Sequence, residues 1–244
     1  MRIDGYCTLG QDREFDLTAE ALLRAMDAAG VDRAVIAPPD RHLAVLNREG
    51  NAAMLRAARA YPERFIPCCS VNPWYGNMAG DELKRAVEQG ARMLVLHPFV
   101  QGYLANDELV WPILDIAARK KIPVYIHTGL PGNSTPWQIV DLAEQFPGVD
   151  FIMGHCGATD FWNDVVESVK AVANVYLEAS LARPFSFAGY VKTLGKTRCI
   201  MGSFAPINEF TFEWDQIRRV LPDAEWPDVY GNNLLRLLVK SGAL

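Results

Sequence analysis

Three of the chain's four histidines stand at the ends of short apolar runs. The runs lie at 91–98, 122–129 and 149–157 and carry His97, His127 and His155. Their apolar, partly β-branched and aromatic content predicts buried strands, and the helical patterns between them predict that these strands lie parallel and side by side. Parallel strands end at one edge of a sheet, where α/β proteins bind ligands. Because imidazole transfers protons near neutral pH and binds metal ions, this edge is the predicted place of chemistry.

Helical patterns alternate with predicted strands along the chain. The apolar spacing over 17–29 predicts a helix that ends at Gly30 in the left-handed conformation. The Thr-Pro-Trp-Gln segment at 135–138 predicts a capping box with proline in the first turn of another helix. Asn106 is the predicted cap of the helix at 111–120, and a further helix is predicted near 161–173.

Eight strands, each followed by a helical segment, are predicted over residues 1–244, with no linker or change of composition between them. A chain of 244 residues has the usual length of one α/β barrel. The sequence therefore predicts a single-domain (β/α)8 TIM barrel of the α/β class, with the loops after the strands forming the working face.

Composition narrows the classes of partner. A net charge of -5 and a pI near 5.4, without a dense basic run, argue against nucleic-acid and membrane surfaces, so a small molecule is the expected partner. The first residues lead directly into a strand and no apolar run approaches the ~20 residues that span a bilayer, so a cytoplasmic protein is expected. The five scattered cysteines lack Cys-x-x-Cys spacing and are predicted to be reduced core thiols.

Several segments carry a family likeness. They are Met-Asp-Ala-Ala-Gly-Val-Asp-Arg-Ala-Val at 26–35, Tyr-Pro-Glu-Arg-Phe at 61–65, Trp-Pro-Ile-Leu-Asp at 111–115 running on to the His127 strand, Phe-Pro-Gly-Val at 146–149 running on to the His155 strand, and Gly-Asn-Asn at 231–233. Through them the sequence resembles, over nearly its whole length, the amidohydrolase-related branch of the amidohydrolase superfamily. That branch contains aminocarboxymuconate-semialdehyde decarboxylase and related hydrolases. Barrels of this branch often pair, so the resemblance also implies a homodimer.

The resemblance implies a particular metal centre. In that family a His-x-His pair on the first strand, the fifth-strand histidine and an aspartate ending the eighth strand hold a divalent metal, usually zinc, and the sixth-strand histidine assists proton transfer. By position, the fifth-strand ligand is His127 and the sixth-strand histidine is His155. The first-strand positions hold Tyr6 and Thr8, and Phe204 stands in the aspartate's place. Since a catalytic zinc site needs about three protein ligands, the family's metal site is expected to be lost and no cofactor is expected.

The histidines have alternative interpretations. His155 is the predicted catalytic acid or base, since an imidazole with a pKa near ~6.5 does this work without metal; otherwise it only supports a neighbour by a hydrogen bond. His127 is predicted to orient a substrate or keep a weaker metal, or else to be an inherited imidazole hydrogen-bonded in the barrel mouth. His97 faces the same cavity or, as is favoured, belongs to a turn with Pro98 in which its imidazole meets backbone. If a metal such as zinc binds, His97, His127 and His155 are its ligands, with Glu178 as a fourth group.

Other residues near the predicted strand ends are candidates for substrate binding. Glu178 is one, although pairing with Arg183 or another basic group as a buried structural carboxylate is favoured. Cys156 is predicted to be an inert core thiol that points away from His155. The substrate-binding candidates are Tyr6, Thr8, Trp74, His97, Glu178 and Phe204, and a partly aromatic pocket would add Tyr75, Tyr103 and Trp162, with core packing as the alternative for each aromatic ring.

Two hypotheses of function follow. The first is an amidohydrolase-like hydrolase or decarboxylase that acts on a small carboxylated or cyclic compound without the usual zinc centre, with His155 as acid or base. The second is a catalytically inactive barrel that binds a small molecule or serves as a subunit partner. The family background favours the first, and the absent ligands favour the second.

Overall fold

The computed structural model describes residues 1–157 and 163–240. Eight parallel strands are hydrogen-bonded in chain order, as the alternating pattern predicts. The strands are β1 (Ile3–Thr8), β2 (Arg33–Ala37), β3 (Phe65–Ser70), β4 (Met93–Leu96), β5 (Val124–His127), β6 (Phe151–Gly154), β7 (Val175–Glu178) and β8 (Cys199–Ile200). A short antiparallel hairpin, Gly10–Gln11 with Asp16–Leu17, follows β1.

The sheet closes on itself between its last and first strands. The Gly5 N–H donates to the Met201 carbonyl at 2.9 Å, and the Phe204 N–H donates to the Tyr6 carbonyl at 3.0 Å. A bridge between Cys7 and Ala205 continues this pairing past the end of β8. The predicted (β/α)8 TIM barrel is therefore confirmed.

Helices lie between the strands and after the last one. They are α1 (Ala19–Ala29), α2 (Asp40–Ala44), α3 (Asn47–Ala60), α4 (Asn77–Glu88), α5 (Pro98–Gln101), α6 (Trp111–Lys120), α7 (Pro136–Gln145), α8 (Val165–Val169), α9 (Pro184–Leu194), α10 (Phe210–Val220) and α11 (Asn233–Lys240). In the described ranges, no helix is both long and apolar enough to cross a membrane. The predicted helix at 161–173 is observed only over Val165–Val169, as α8, and positions 161 and 162 lie outside the described residues.

Local signals place most helix ends correctly. Gly30 ends α1 in the left-handed conformation at φ 65°, and the capping box of Thr135 and Gln138 opens α7. The prediction that Asn106 caps a helix is wrong. Asp107 instead caps a 3-10 turn at Glu108–Val110 by accepting from the Leu109 N–H, and Asn106 donates to Asp141.

The apolar core has two layers. The outer layer packs the helices against the strands, and the inner layer fills the barrel with side chains from alternate strand positions. Helix α11 adds Leu234, Leu237 and Leu238 to the inner layer, which closes the amino-terminal end of the barrel. All five cysteines are buried free thiols, as predicted.

The first strand departs from regular alternation. Its register with β2 shifts between Asp4 and Cys7, so Ile3 and Tyr6 both join the inner layer. Asp4 instead accepts a hydrogen bond from the indole N–H of Trp214 on α10 at 2.7 Å. The irregularity brings the Tyr6 side chain into the barrel, below the ends of β5 and β6.

Candidate active site

The three histidines converge at the carboxyl ends of β4, β5 and β6. His127 closes β5, while His97 and His155 immediately follow their strands. The His97 and His127 rings stack with centroids 4.1 Å apart, and His127 Nδ1 lies 2.9 Å from His155 Nε2. The predicted grouping is confirmed, and the three side chains are each at most 9% exposed.

A continuous chain of hydrogen bonds runs through this group. His127 Nε2 lies 2.9 Å from Tyr6 Oη, and His155 Nδ1 lies 2.8 Å from Ser180 Oγ. Ser180 Oγ donates to Glu178 Oε2 at 2.7 Å. We call these five side chains, Tyr6, His127, His155, Ser180 and Glu178, the relay.

The ionised form of Glu178 fixes the direction of every bond in the relay. When the Ser180 hydroxyl donates to the carboxylate, its oxygen accepts from the Nδ1–H of His155. His155 Nε2 then accepts from the Nδ1–H of His127, and His127 Nε2 accepts from the Tyr6 hydroxyl. All of the donors therefore point from Tyr6 towards Glu178.

Glu178 is held by hydrogen bonds and not by the predicted pairing with Arg183. Its Oε2 accepts from the Tyr125 hydroxyl at 2.8 Å and from the His155 N–H at 3.1 Å. Its Oε1 accepts from the Ser180 N–H at 3.0 Å. Burial raises the pKa of Glu178, and these hydrogen bonds oppose the rise because they stabilise the carboxylate.

Two glycines leave room for this buried group. A Cβ atom at Gly202 would overlap the Glu178 carboxyl group, and one at Gly154 would overlap the phenol of Tyr125. Gly154 ends β6 and Gly202 follows β8, and at both positions the backbone approaches the site closely. The sequence analysis did not identify Tyr125 and Ser180 as site residues. Tyr125 lies two residues before His127 on the same face of the strand, and Ser180 lies two residues after Glu178.

Burial keeps the imidazoles neutral. It lowers the pKa of His155 to about 3 and that of His97 to about 4. The pKa of His127 is also well below its usual value, through burial and then through its two histidine neighbours. The expectation of an ordinary pKa for His155 is wrong because the ring is only 4% exposed.

The backbone is left-handed at several points around the site. His155 and Cys156 have φ of 65° and 51°, and Leu181 and Phe204 have φ of 60° and 58°. Such values are uncommon for residues other than glycine, and here they follow the ends of β6, β7 and β8. At β6 the turn directs the His155 N–H to Glu178 and buries Cys156, whose thiol donates to the Glu178 carbonyl at 2.9 Å.

The other candidates occupy different places. Phe204 is partly exposed, with its ring 4.5 Å from that of His155 and 5.8 Å from that of Tyr6. Thr8 is buried at the end of β1. Trp74 lies apart from the relay: it is 61% exposed, and its indole donates to the Gly102 carbonyl.

Two more of the aromatic candidates also lie apart from the relay. The Tyr75 hydroxyl donates to the Val45 carbonyl and the Tyr103 hydroxyl donates to Gln101. Trp162 is outside the described residues.

His97 faces its histidine neighbour, and its imidazole also meets backbone. Its ring stacks on His127, and its buried Nδ1 has no hydrogen-bond partner in the described part of the chain. Both interpretations of His97 thus hold in part: its ring faces His127, and the chain turns into α5 at Pro98. The backbone N–H of His97 donates to Gln101 Oε1 at 2.9 Å.

The donors at this place do not fit a divalent metal. Among residues 1–157 and 163–240, no group of three or more His, Cys, Asp or Glu side chains is arranged to hold one. Both ring nitrogens of His127 are engaged by Tyr6 and His155, and Phe204 offers a hydrocarbon ring. The alternative set of His97, His127 and His155 is likewise stacked and hydrogen-bonded rather than spaced around a cation.

Comparisons with known proteins agree with this architecture. A family model described as amidohydrolase matches residues 9–238. An uncharacterized TIM-barrel protein from Bordetella bronchiseptica is 18% identical, with a TM-score of 0.82 over 99% of both chains. No curated protein sequence matches the chain significantly.

Two decarboxylases have similar folds. The 5-carboxyvanillate decarboxylase from Novosphingobium aromaticivorans, solved with manganese and 4-hydroxy-3-methoxy-5-nitrobenzoic acid, is 17% identical, with a TM-score of 0.79 over 98% of this chain and 96% of that one. The 2,6-dihydroxybenzoate decarboxylase from Rhizobium is 14% identical, with a TM-score of 0.77 over 98% of each chain. At these identities the likeness establishes the fold alone.

A closed eight-stranded barrel with polar side chains at the strand ends is the architecture of a TIM-barrel protein. The family match covers most of the chain, and the protein belongs to the amidohydrolase family, whose members are enzymes such as hydrolases and decarboxylases.

Proposed function

We propose that the protein is a metal-independent decarboxylase of small aromatic or cyclic carboxylates. The observation that carries this proposal is the relay, which joins the buried phenol of Tyr6 to the buried carboxyl group of Glu178 through two imidazoles and a hydroxyl. Support for the reaction class comes from the two aromatic-acid decarboxylases that share the fold.

Metal independence follows from the donors. Tyr6 and Thr8 supply hydroxyl groups where the family resemblance implies histidines, and Phe204 supplies no donor at all. The Tyr6 hydroxyl is already bonded to the histidine that the resemblance identifies as a ligand. A cation at this place would have to break the His127 hydrogen bonds and would gain few ligands in return.

The relay can deliver one proton without a metal-bound water. In the reacting state Glu178 is protonated and each relay bond is reversed, so that His127 Nε2–H donates to Tyr6 Oη. The substrate's bond to its carboxylate breaks, CO2 leaves, and the electron pair stays on the ring carbon. That carbon takes the Tyr6 proton, Tyr6 takes one from His127, and Glu178 ends as the carboxylate. A proton from solvent then restores the starting state.

The pKa values of the relay groups favour decarboxylation over hydrolysis. Hydrolysis needs an activated water, and the low pKa values of the buried histidines make them weak bases for that task. Decarboxylation needs a proton donor in a dry site, and burial raises the pKa of Glu178 so that it holds a proton more readily.

Aromatic substrates fit the rim of the barrel. Phe99, Trp137 and Phe185 are 58%, 56% and 84% exposed. They belong to the first turns of α5, α7 and α9, which follow β4, β5 and β7 at the working face. The unpartnered Nδ1 of His97 is available to bind a carboxylate oxygen when it carries the proton.

The test is a decarboxylation assay on protein freed of metal with a chelator. We expect CO2 release from a hydroxybenzoate, with one deuterium placed on the vacated ring carbon in D2O. Tyr6→Phe keeps the ring and removes the donor, so we expect kcat to fall by about 10²–10⁴-fold with less change in KM. Tyr230→Phe is the control, because Tyr230 is a buried tyrosine that donates to the Leu221 carbonyl far from the relay. Restoration of activity only by added manganese or zinc would overturn the proposal.

One observation favours a second candidate function, that of a non-catalytic binding barrel. The relay satisfies its own donors and acceptors, and Tyr6 and Glu178 are fully buried. Saturable binding of hydroxybenzoates without turnover by metal-free or metal-loaded protein would support that candidate.

A further inference from the structure

A cavity lies at the end of the barrel opposite the relay. Its volume is about 320 Å³. Arg33 begins β2, Phe65 begins β3, and Arg92 directly precedes β4, so the cavity lies at the amino ends of the strands. Leu238 of α11 and Arg59 of α3 complete its principal walls.

The cavity is separate from the relay end. Arg92 and His97 flank β4 on its two sides. Five residues of strand at ~3.3 Å each place them roughly 17 Å apart. A ligand in this cavity therefore does not reach the histidines.

The arginines of the cavity have unused donors. Arg33 donates to the Pro62 carbonyl at 3.3 Å, but its buried Nε has no partner among the described residues. Arg59 makes one long bond of 3.5 Å to the Gln89 carbonyl. The Arg92 side chain makes no hydrogen bond, and none of the three forms an ion pair, within the described ranges.

Charge and shape together define a ligand class. Three guanidinium groups and the carboxylate of Glu63 line the cavity, which leaves an excess of positive charge in a protein whose net charge is -5. Leu55, Phe65 and Leu238 add an apolar wall. Planar guanidinium groups bind phosphate and carboxylate through paired N–H bonds, and cavities of ~300 Å³ hold small organic ligands.

We propose that this cavity binds a small organic anion, an oxyanion group joined to a compact apolar body. The oxyanion is held by Arg33, Arg59 and Arg92, and the apolar body lies against Leu55 and Leu238. This site is independent of the proposed decarboxylation, because it lies at the other end of the strands.

Isothermal titration calorimetry with phenyl phosphate and inorganic phosphate tests the proposal, because neither probe is a carboxylate of the class proposed for the relay end. We expect one saturable site for phenyl phosphate, with inorganic phosphate weaker because it lacks the apolar part. Arg92→Gln removes a side chain without hydrogen bonds and leaves the fold intact, so it is the principal variant. It should weaken binding at least tenfold, and raised salt should weaken binding further.

Arg56→Gln is the matched control. Arg56 is exposed on α3, one turn from Arg59, and does not line the cavity. Its variant should bind like the unaltered protein. Equal binding by the Arg33→Gln/Arg92→Gln double variant and the unaltered protein would overturn the proposal, as would the absence of saturable binding by every probe. The titration needs no turnover, so its failure and that of the decarboxylase proposal are distinguishable.

Discussion

The side chains at positions 6 and 204 limit what His127 can bind. Tyr6 binds one of its ring nitrogens and Phe204 covers the same region with a hydrocarbon ring. Without the bond to Tyr6, His127 Nε2 would be free to bind a cation. The proposed metal independence thus rests on positions 6, 8 and 204, where the family resemblance implies metal ligands and this chain has tyrosine, threonine and phenylalanine.

The triple variant Tyr6→His/Thr8→His/Phe204→Asp tests this residue-scale account. It provides the donor types that the family resemblance implies, beside His127, on a backbone that already has the family's fold. We expect it to bind about one zinc ion per chain, measured by elemental analysis after dialysis. Thr8→His alone is the control and should bind none stoichiometrically. A folded triple variant that takes up no metal would contradict the account.

At the scale of elements, the strand ends are shaped by backbone as much as by side chains. The chain leaves β6 through left-handed residues and leaves β8 through Gly202, which lies against Glu178. These features bring Ser180 and His155 to one carboxyl group. The relay therefore depends on where β6, β7 and β8 stop.

Gly202→Ala tests the close approach at β8. The added methyl group would displace the Glu178 carboxyl group, so we expect a loss of about 2–4 kcal/mol in the free energy of unfolding, measured by urea denaturation. Gly189→Ala is the control, because a Cβ there meets nothing and the position is inside α9. That variant should be more stable by about 0.5–1 kcal/mol. Equal stability of the two variants would show that Gly202 has no such role.

The sequence predicts the elements well and the contacts of the site less well. Periodicity and caps locate α1, α7 and the His127 strand because these signals are local. The bond from Ser180 to Glu178 and the pKa of His155 depend on turns and burial that arise only when distant strands close the barrel. Asn106 failed as a cap because its neighbour Asp107 competes for the same role.

At the scale of the whole molecule, acidic groups are concentrated between the barrel and α10. Burial raises the pKa of Glu213 to about 7, and the negative charges of Glu178 and Asp4 add to the rise. In the unfolded chain Glu213 has an ordinary pKa of ~4.3. Between about pH 4.5 and pH 7 the folded protein therefore holds a proton that the unfolded chain has lost, and stability falls as the pH rises through this interval.

Glu213→Gln should remove the loss of folding stability that occurs as the pH rises from about 4.5 to 7. We expect the variant to exceed the unaltered protein in stability by roughly 1–3 kcal/mol at pH 8, with a smaller difference at pH 5, in urea denaturation at both values. Glu225→Gln, at an exposed position, serves as the comparison and should change little at either pH. A stability difference that is the same at pH 5 and pH 8 would contradict the assignment of this pH dependence to Glu213.

The five buried thiols give the molecule a built-in reporter of opening. They lie on β1, β3 and β8 and beyond the end of β6, and burial raises the pKa of each. A maleimide or iodoacetamide reagent can alkylate them only while the surrounding strands are separated. The mass of each alkylated peptide over time would thus show which sector of the barrel separates first.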